Sequence, residues 1–315
     1  MGLFDHQLLV VTGKGGVGKT TVATALGLAA ARTGRRVCVV ELSGQDQIPT
    51  WMGLGARSFR ARPLAPGCDV MSLTAHECLE DFGLRKLRLG PLVKIVLGSR
   101  VTTAFVDSVP GLHDLLQLGK IENMLAEPRP GDVAYDLIVV DAPATGHGAT
   151  LLQAAKTIEG LTRVGPFHDL AGIIARQLGD PTRTGVIVVT LPEELPVSET
   201  LDLVALVDEA APGTLAAVIV NQARPRVLPY DGFDEVRAAL AAIDPTGSSL
   251  ALLDGAAERD RALLRAFEHL RTGLLERLGR TPPIVALPRL PHGDLGRDDA
   301  FTLATALVAR PEAKP

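Results

Sequence analysis

Lys14-Gly15-Gly16-Val17-Gly18-Lys19-Thr20-Thr21 follows the apolar run Leu8-Leu9-Val10-Val11 and precedes the Ala- and Leu-rich segment 22–31. The order reads as strand, glycine-rich turn, helix. Gly13, Gly15, Gly16 and Gly18 lack the side chains that would keep a backbone from wrapping a phosphate chain, so successive N–H groups and a helix N-terminus can face the anion. In the pattern G-x-x-x-x-G-K-[ST], Gly13 and Gly18 are the fixed glycines. Lys19 is then placed to reach the β- and γ-phosphates, and the Thr20 hydroxyl to ligate Mg²⁺. Val17 and Thr21 complete the expected nucleotide-binding segment. A second lysine, Lys14, stands where the general pattern asks for nothing, although the chain has only seven lysines.

The 315 residues can bury a sizeable core as one large α/β domain or as two ordinary ones. A formal net charge of −4 and 3% aromatic residues give no basic field and few stacking platforms, so no nucleic-acid partner is expected. Cys38, Cys68 and Cys78 are widely spaced with no C-x-x-C pair, which points away from structural zinc and towards a reduced, cytoplasmic setting. No apolar run approaches the roughly 18 to 20 residues needed to cross a bilayer, and residues 1–5 carry no signal-peptide pattern. Any membrane role is therefore expected to be peripheral, through a partner.

Outward from the glycine-rich turn, Val37-Cys38-Val39-Val40-Glu41 reads as a strand buried on both faces, followed by a loop at its C-terminal end, Ser43-Gly44-Gln45-Asp46-Gln47. A short strand is expected over 69–73. Residues 74–127 then lose strand character, and apolar positions recur at three- and four-residue steps over 89–106 and 112–125, with Gly119 a weak point in the second run. This predicts a helical insertion, about 74–127, within a single domain spanning 1–315. Tyr135-Asp136-Leu137-Ile138-Val139-Val140-Asp141 restores the sheet and ends on a carboxylate, the expected partner of Mg²⁺ beside a phosphate loop. Further strands are predicted over 185–190, 216–221 and 283–287, and a long amphipathic helix over 254–278. Strands alternating with helices imply a doubly wound, mostly parallel sheet.

Several segments together resemble one family: the ATPases typified by the arsenite-pump catalytic subunit and the guided-entry targeting factor for tail-anchored membrane proteins. KGGVGKTT is similar to that family's deviant phosphate loop. Asp141-Ala142-Pro143-Ala144-Thr145-Gly146-His147 resembles its second switch, and Leu191-Pro192-Glu193-Glu194-Leu195 with Ser198-Glu199-Thr200 its post-strand motif. Val220-Asn221-Gln222 and Leu287-Pro288-Arg289-Leu290-Pro291 resemble its adenine-holding segments, which puts Asn221, Pro288, Arg289 and Leu290 on the nucleotide. The resemblance implies ATP and Mg²⁺, a homodimer or a heterodimer with a paralogous ATPase, and a trans role for Lys14 at the neighbour's nucleotide. A hydrophobic membrane-protein client or a membrane channel subunit is the implied further partner.

One departure stands out. Where the family carries S-T-D-P-A-H-N, this chain has Glu41-Leu42-Ser43-Gly44-Gln45-Asp46-Gln47. Ser43 falls where the water-orienting aspartate belongs, and Asp46 is the candidate substitute, with a solvated loop carboxylate as its other reading. Two alternatives to a client-binding ATP switch stay open at this point. They are an energy-coupling ATPase of an anion or metalloid efflux system, and a ParA/MinD-type positioning ATPase.

Overall fold

Runs of β-branched residues with no polar alternation have to be covered on both faces, and a parallel sheet between helical layers is how a chain achieves that. The computed structural model describes residues 2–42, 47–86, 106–126, 133–143, 147–161, 164–225, 233–244, 246–291 and 295–309. Its strands are β1 (Leu8–Gly13), β2 (Val37–Glu41), β3 (Arg62–Ala65), β4 (Cys68–Ser72), β5 (Leu137–Asp141), β6 (Thr184–Thr190), β7 (Leu215–Ala223) and β8 (Ile284–Pro288). They form one sheet in the order β3-β4-β2-β5-β1-β6-β7-β8. Every pairing is parallel except β3 with β4. The doubly wound, mostly parallel α/β architecture read from the sequence is the observed one.

The helices are α1 (Lys19–Arg32), α2 (Gln47–Trp51), α3 (Ala75–Lys86), α4 (Leu112–Ala126), α5 (His147–Leu161), α6 (Pro166–Gly179), α7 (Glu194–Ala210), α8 (Phe233–Ile243), α9 (Ser248–Leu278) and α10 (Arg297–Ala309). Alternate strand residues feed two cores. Leu9, Val11, Val37, Val39 and Ile187 meet α1, α2 and α10, whereas Val10, Val40, Val140 and Val188 meet α3 to α7 and α9. The first layer is tight because α1 is built of small residues. At Gly27, a Cβ would collide with the Val39 side chain.

Three sequence expectations shift. The edge strand β3, four residues including Pro63, was not anticipated. It forms because Gly67, at φ +76°, turns the chain back onto β4. Helix α9 begins at Ser248 rather than 254, with the Asp244 carboxylate accepting the Ser249 N–H at 2.8 Å. Gly119 is a packing position instead of a weak point. A Cβ there would stand 2.9 Å from Leu170 of α6, so its missing side chain is what brings α4 and α6 together. Within the expected insertion, α3 and α4 turn Cys78, Leu79, Phe82, Leu112, Leu115, Leu116 and Ile121 into the core. The periodic run over 89–105 lies outside the described residues.

Candidate functional site

β1 ends at Gly13 and α1 starts at Lys19, and three glycines of the intervening turn take conformations that residues with side chains rarely adopt. Gly13, Gly16 and Gly18 have φ of +151°, +80° and +89°, a region where a side chain is strained. At Gly13 a Cβ would strike the Val189 carbonyl, and at Gly18 the Asn221 side chain. Nothing stands within 4 Å of the Cβ positions of Gly15 and Gly16. The turn is therefore closed on the protein side and open on the other, which is the shape a phosphate chain needs.

The far strand locks this turn. Between Val220 and Ala223 the β7–β8 register slips, and in that bulge Gln222 takes φ +57°, the only positive φ at a non-glycine among the described residues. The bulge aims Asn221, whose Nδ2 donates to the Val17 carbonyl at 2.9 Å. Backbone strain of this kind costs on the order of 1–3 kcal/mol and persists where the surroundings enforce it. Beside it opens a cleft of about 360 Å³ lined by Gly16, Gly18, Thr21, Asn221, Gln222 and the segment Pro288-Arg289-Leu290-Pro291, with Leu295 and Leu303. A larger concavity of about 520 Å³, at the β3–β4 edge, contains none of the phosphate-loop residues.

On the other side of the turn, charge is concentrated. Val11 of β1 and Glu41 of β2 are both in register with Asp141 at the end of β5, so the C-terminal ends of three adjacent strands converge beneath the first turn of α1. From that turn, the Thr20 hydroxyl donates to Asp141 Oδ2 at 2.7 Å. Asp141 Oδ1 is buried without a hydrogen-bond partner among the described residues. Burial above all pushes the Asp141 carboxyl up to about 7. Glu41 pushes the same way, while the Thr20 hydroxyl and Lys19 pull it back. Burial also lowers the pKa of Lys19, against the attraction of Asp141.

The two lysines of the turn are used differently. Lys19 is buried and its Nζ donates to the Lys14 carbonyl at 2.9 Å. Lys14 points its half-exposed ammonium away, 3.5 Å from Glu199 Oε1 on α7.

Residues 8–244 match the model of the CobQ/CobB/MinD/ParA nucleotide binding domain. The chain belongs to that family. Over 255 residues it is 30% identical to ATPase BagA of Mycobacterium tuberculosis, covering 78% of this chain and 73% of the relative. It is also 26% identical over 163 residues to ATPase ASNA1 homolog 1 of Paramecium tetraurelia, covering 50% of this chain and 46% of the relative. Against the arsenical pump-driving ATPase of Acidiphilium multivorum it is 27% identical over 208 residues, 65% of this chain and 33% of the relative. These relatives agree with the motif resemblance to the ATPases of arsenite-pump and guided-entry type.

For a member of the CobQ/CobB/MinD/ParA family, the sites read from sequence fall into three groups. Gly13 to Thr21, Asp141, Asn221 and Pro288 to Leu290 surround one turn and its cleft. Lys14 belongs to the same turn but leaves it. Ser43 and Asp46 lie outside the described residues. Sequence reasoning named Glu41 as the end of a strand and the start of the departing loop segment, but gave it no role in the site. It carries the signal that singled out Asp141: a carboxylate closing a wholly apolar buried strand. Leu303, from α10, was legible only through the packing of that helix on α1.

The donor set suits a hard divalent cation. Asp141 offers one buried oxygen with no partner among the described residues, and the Thr20 hydroxyl beside it can turn its lone pairs outward. No described helix is long and apolar enough to cross a membrane.

Proposed function

We propose that this chain is an ATP-binding and ATP-hydrolysing switch that works as a dimer, coupling nucleotide state to a hydrophobic membrane-protein client or partner. The observation that carries this reading is the division of labour between the two lysines. Lys19 lies buried in the cradle beside Asp141, whereas Lys14 leaves its own cradle for a surface contact with Glu199. A cation held outside its own site can serve a neighbour's, as a trans-acting arginine does in phosphoryl transfer. The backbone of residues 13–18 and Lys19 would hold the phosphates of ATP, and the cleft between Asn221 and Leu290 its base.

Thr20 and Asp141 would hold Mg²⁺, which supplies charge neutralisation at the β- and γ-phosphate oxygens when bound. The remaining catalytic contribution is positioning and exclusion of water by the chain's own groups. Nucleotide-dependent closure of two copies would then shift which surface the helical region offers a client.

The efflux-pump reading draws no support from the cysteines. Cys38, Cys68 and Cys78 are free and buried, and burial pushes the Cys68 thiol up to about 12, where a thiolate ligand is disfavoured.

The experiment is a pair of lysine variants assayed for ATP binding and for turnover across protein concentration. Lys19→Ala is expected to abolish binding. Lys14→Ala is expected to keep binding and lose turnover by about 10³-fold, the scale of a trans-acting cation. Unchanged turnover in Lys14→Ala, or turnover per chain independent of protein concentration, would sink the dimeric mechanism.

A further inference from the structure

The concavity of about 520 Å³ lies at the other end of the sheet from the phosphate loop. That loop follows the C-terminal end of β1, whereas this hollow is lined by Arg36, the residue before β2, and by Asp69, the second residue of β4. Leu54, Pro63 and Leu64 give it an apolar side, and Arg297, the first residue of α10, also lines it. It shares no lining residue with the nucleotide cleft.

The three charged groups of the hollow are set in different ways. Asp69 is anchored, its Oδ2 accepting the Tyr135 hydroxyl at 2.7 Å. Arg297 is steadied by the Leu64 carbonyl, which accepts from its Nη2 at 3.4 Å, and by the Phe301 ring, whose centre is 5.8 Å from its guanidinium carbon. Arg36 is fixed through its main chain, where the N–H donates to Asp136 Oδ2 at 2.8 Å. Among the described residues neither guanidinium is ion-paired, and that of Arg36 makes no hydrogen bond.

A lone exposed arginine is a solvated cation and says little. Two of them lining one hollow repel each other, and an anion taken between them relieves that repulsion and uses both guanidinium forks. Asp69 adds a second requirement. A carboxylate in the same hollow repels a bare anion, so the occupant has to bring a hydrogen-bond donor for it as well. The apolar side accommodates a short carbon skeleton, and the volume is within the ordinary range of small-molecule sites.

We propose that this hollow binds a small carboxylate bearing a hydroxyl or amino group, with the carboxylate held by Arg36 and Arg297 and the donor by Asp69. The site is separate from the phosphate loop and does not rest on the ATP-switch reading, so either can fail without the other.

Titration calorimetry of the nucleotide-free protein with L-malate, L-aspartate and succinate tests this. Malate or aspartate is expected to bind one per chain, the tighter of the two naming the donor. Succinate, which has two carboxylates and no donor, should bind at least about tenfold more weakly, the scale of a hydrogen bond to a charged group. Arg36→Gln and Arg297→Gln should each weaken the better-bound acid at least about tenfold, and Asp69→Leu should bring that acid and succinate within about twofold of each other. Two controls should leave its Kd within about twofold: Arg60→Gln, an exposed arginine outside the hollow, and Lys19→Ala in the phosphate loop.

Absence of binding by either acid up to about 10 mM, succinate bound as tightly as both, or a loss in Arg60→Gln or Lys19→Ala matching that in Arg36→Gln would overturn the proposal. Should Asp69→Leu fail to fold, the comparison with succinate in the parent protein decides the role of Asp69 alone.

Discussion

The two walls of the nucleotide cleft are built on opposite principles. Towards β6, β7 and β8 the wall is backbone. Glycines at positive φ, the Val17 carbonyl gripped by Asn221, and the bulge at Gln222 give a rigid surface with little net charge. Towards β2 and β5 the wall is ionic, with Glu41 and Asp141 buried side by side and Lys19 nearby. The first wall can bind a phosphate chain as it stands. The second holds negative charge that the fold leaves only partly compensated, so a cation improves it. Affinity for nucleotide should therefore reside on one wall, and dependence on metal and turnover on the other.

The strongest way to break this contrast is Gly18→Ala. It combines a left-handed φ with a collision against Asn221. We expect nucleotide affinity to fall about 100-fold, equivalent to about 3 kcal/mol, measured by titration calorimetry. Retained affinity would mean that the backbone wall is less rigid than drawn.

Next in size is Asp141→Asn, where the sign follows from linkage. The Asp141 carboxyl is raised from 3.8 to about 7, so between those values the folded state holds a proton that the unfolded state has lost. Stability of the nucleotide-free protein therefore falls as pH rises through this window and levels off above it. Asp141→Asn removes that loss. Its Tm should exceed the parent's at pH 8, by a stability gain on the order of 2–4 kcal/mol, and approach it below pH 4. Nucleotide binding in the variant should no longer depend on Mg²⁺. A variant less stable than the parent at pH 8 would show that the ionic wall is already compensated.

A smaller effect is expected from Gln117→Leu, which withdraws two buried donors from the carbonyls of Leu42 and Leu73. The cost should be about 2 kcal/mol in urea unfolding, with the ATP Kd little changed because the loss falls on the ionic wall. Smallest of all is Glu199→Gln. The Lys14–Glu199 pair is largely solvated, so the unfolding midpoint should move by no more than about 0.5 kcal/mol. A larger shift would make the pair part of the fold instead of a resting place for Lys14.

What could be read in advance differs between the walls for the same physical reason. The turn Gly13 to Thr21 is local, and its glycines, Lys19 and Thr20 are adjacent in the chain, so their spacing already describes the shape. Asp141 was legible because a charge at the end of a buried apolar run has little reason to be there except a partner. Glu41 offered the same signal, yet its bonds to Gln47 and Ser72 exist only once β2 lies between β4 and β5. The core role of Gly119 was hidden likewise, since glycine in a helix reads as weakness until Leu170 is seen against it.

By itself, then, the sequence determined the parallel sheet, the order of its elements and a phosphate-binding turn, because periodicity, β-branched runs and glycine conformations act over a few residues. Only the tertiary structure decided which residues 75 to 204 positions apart would meet. Thr20 with Asp141, Val17 with Asn221 and Leu42 with Gln117 are brought together by strand order and by helices crossing the sheet. Hydrogen-bond partnership and burial depend on three-dimensional neighbours, and those are set by how the layers pack.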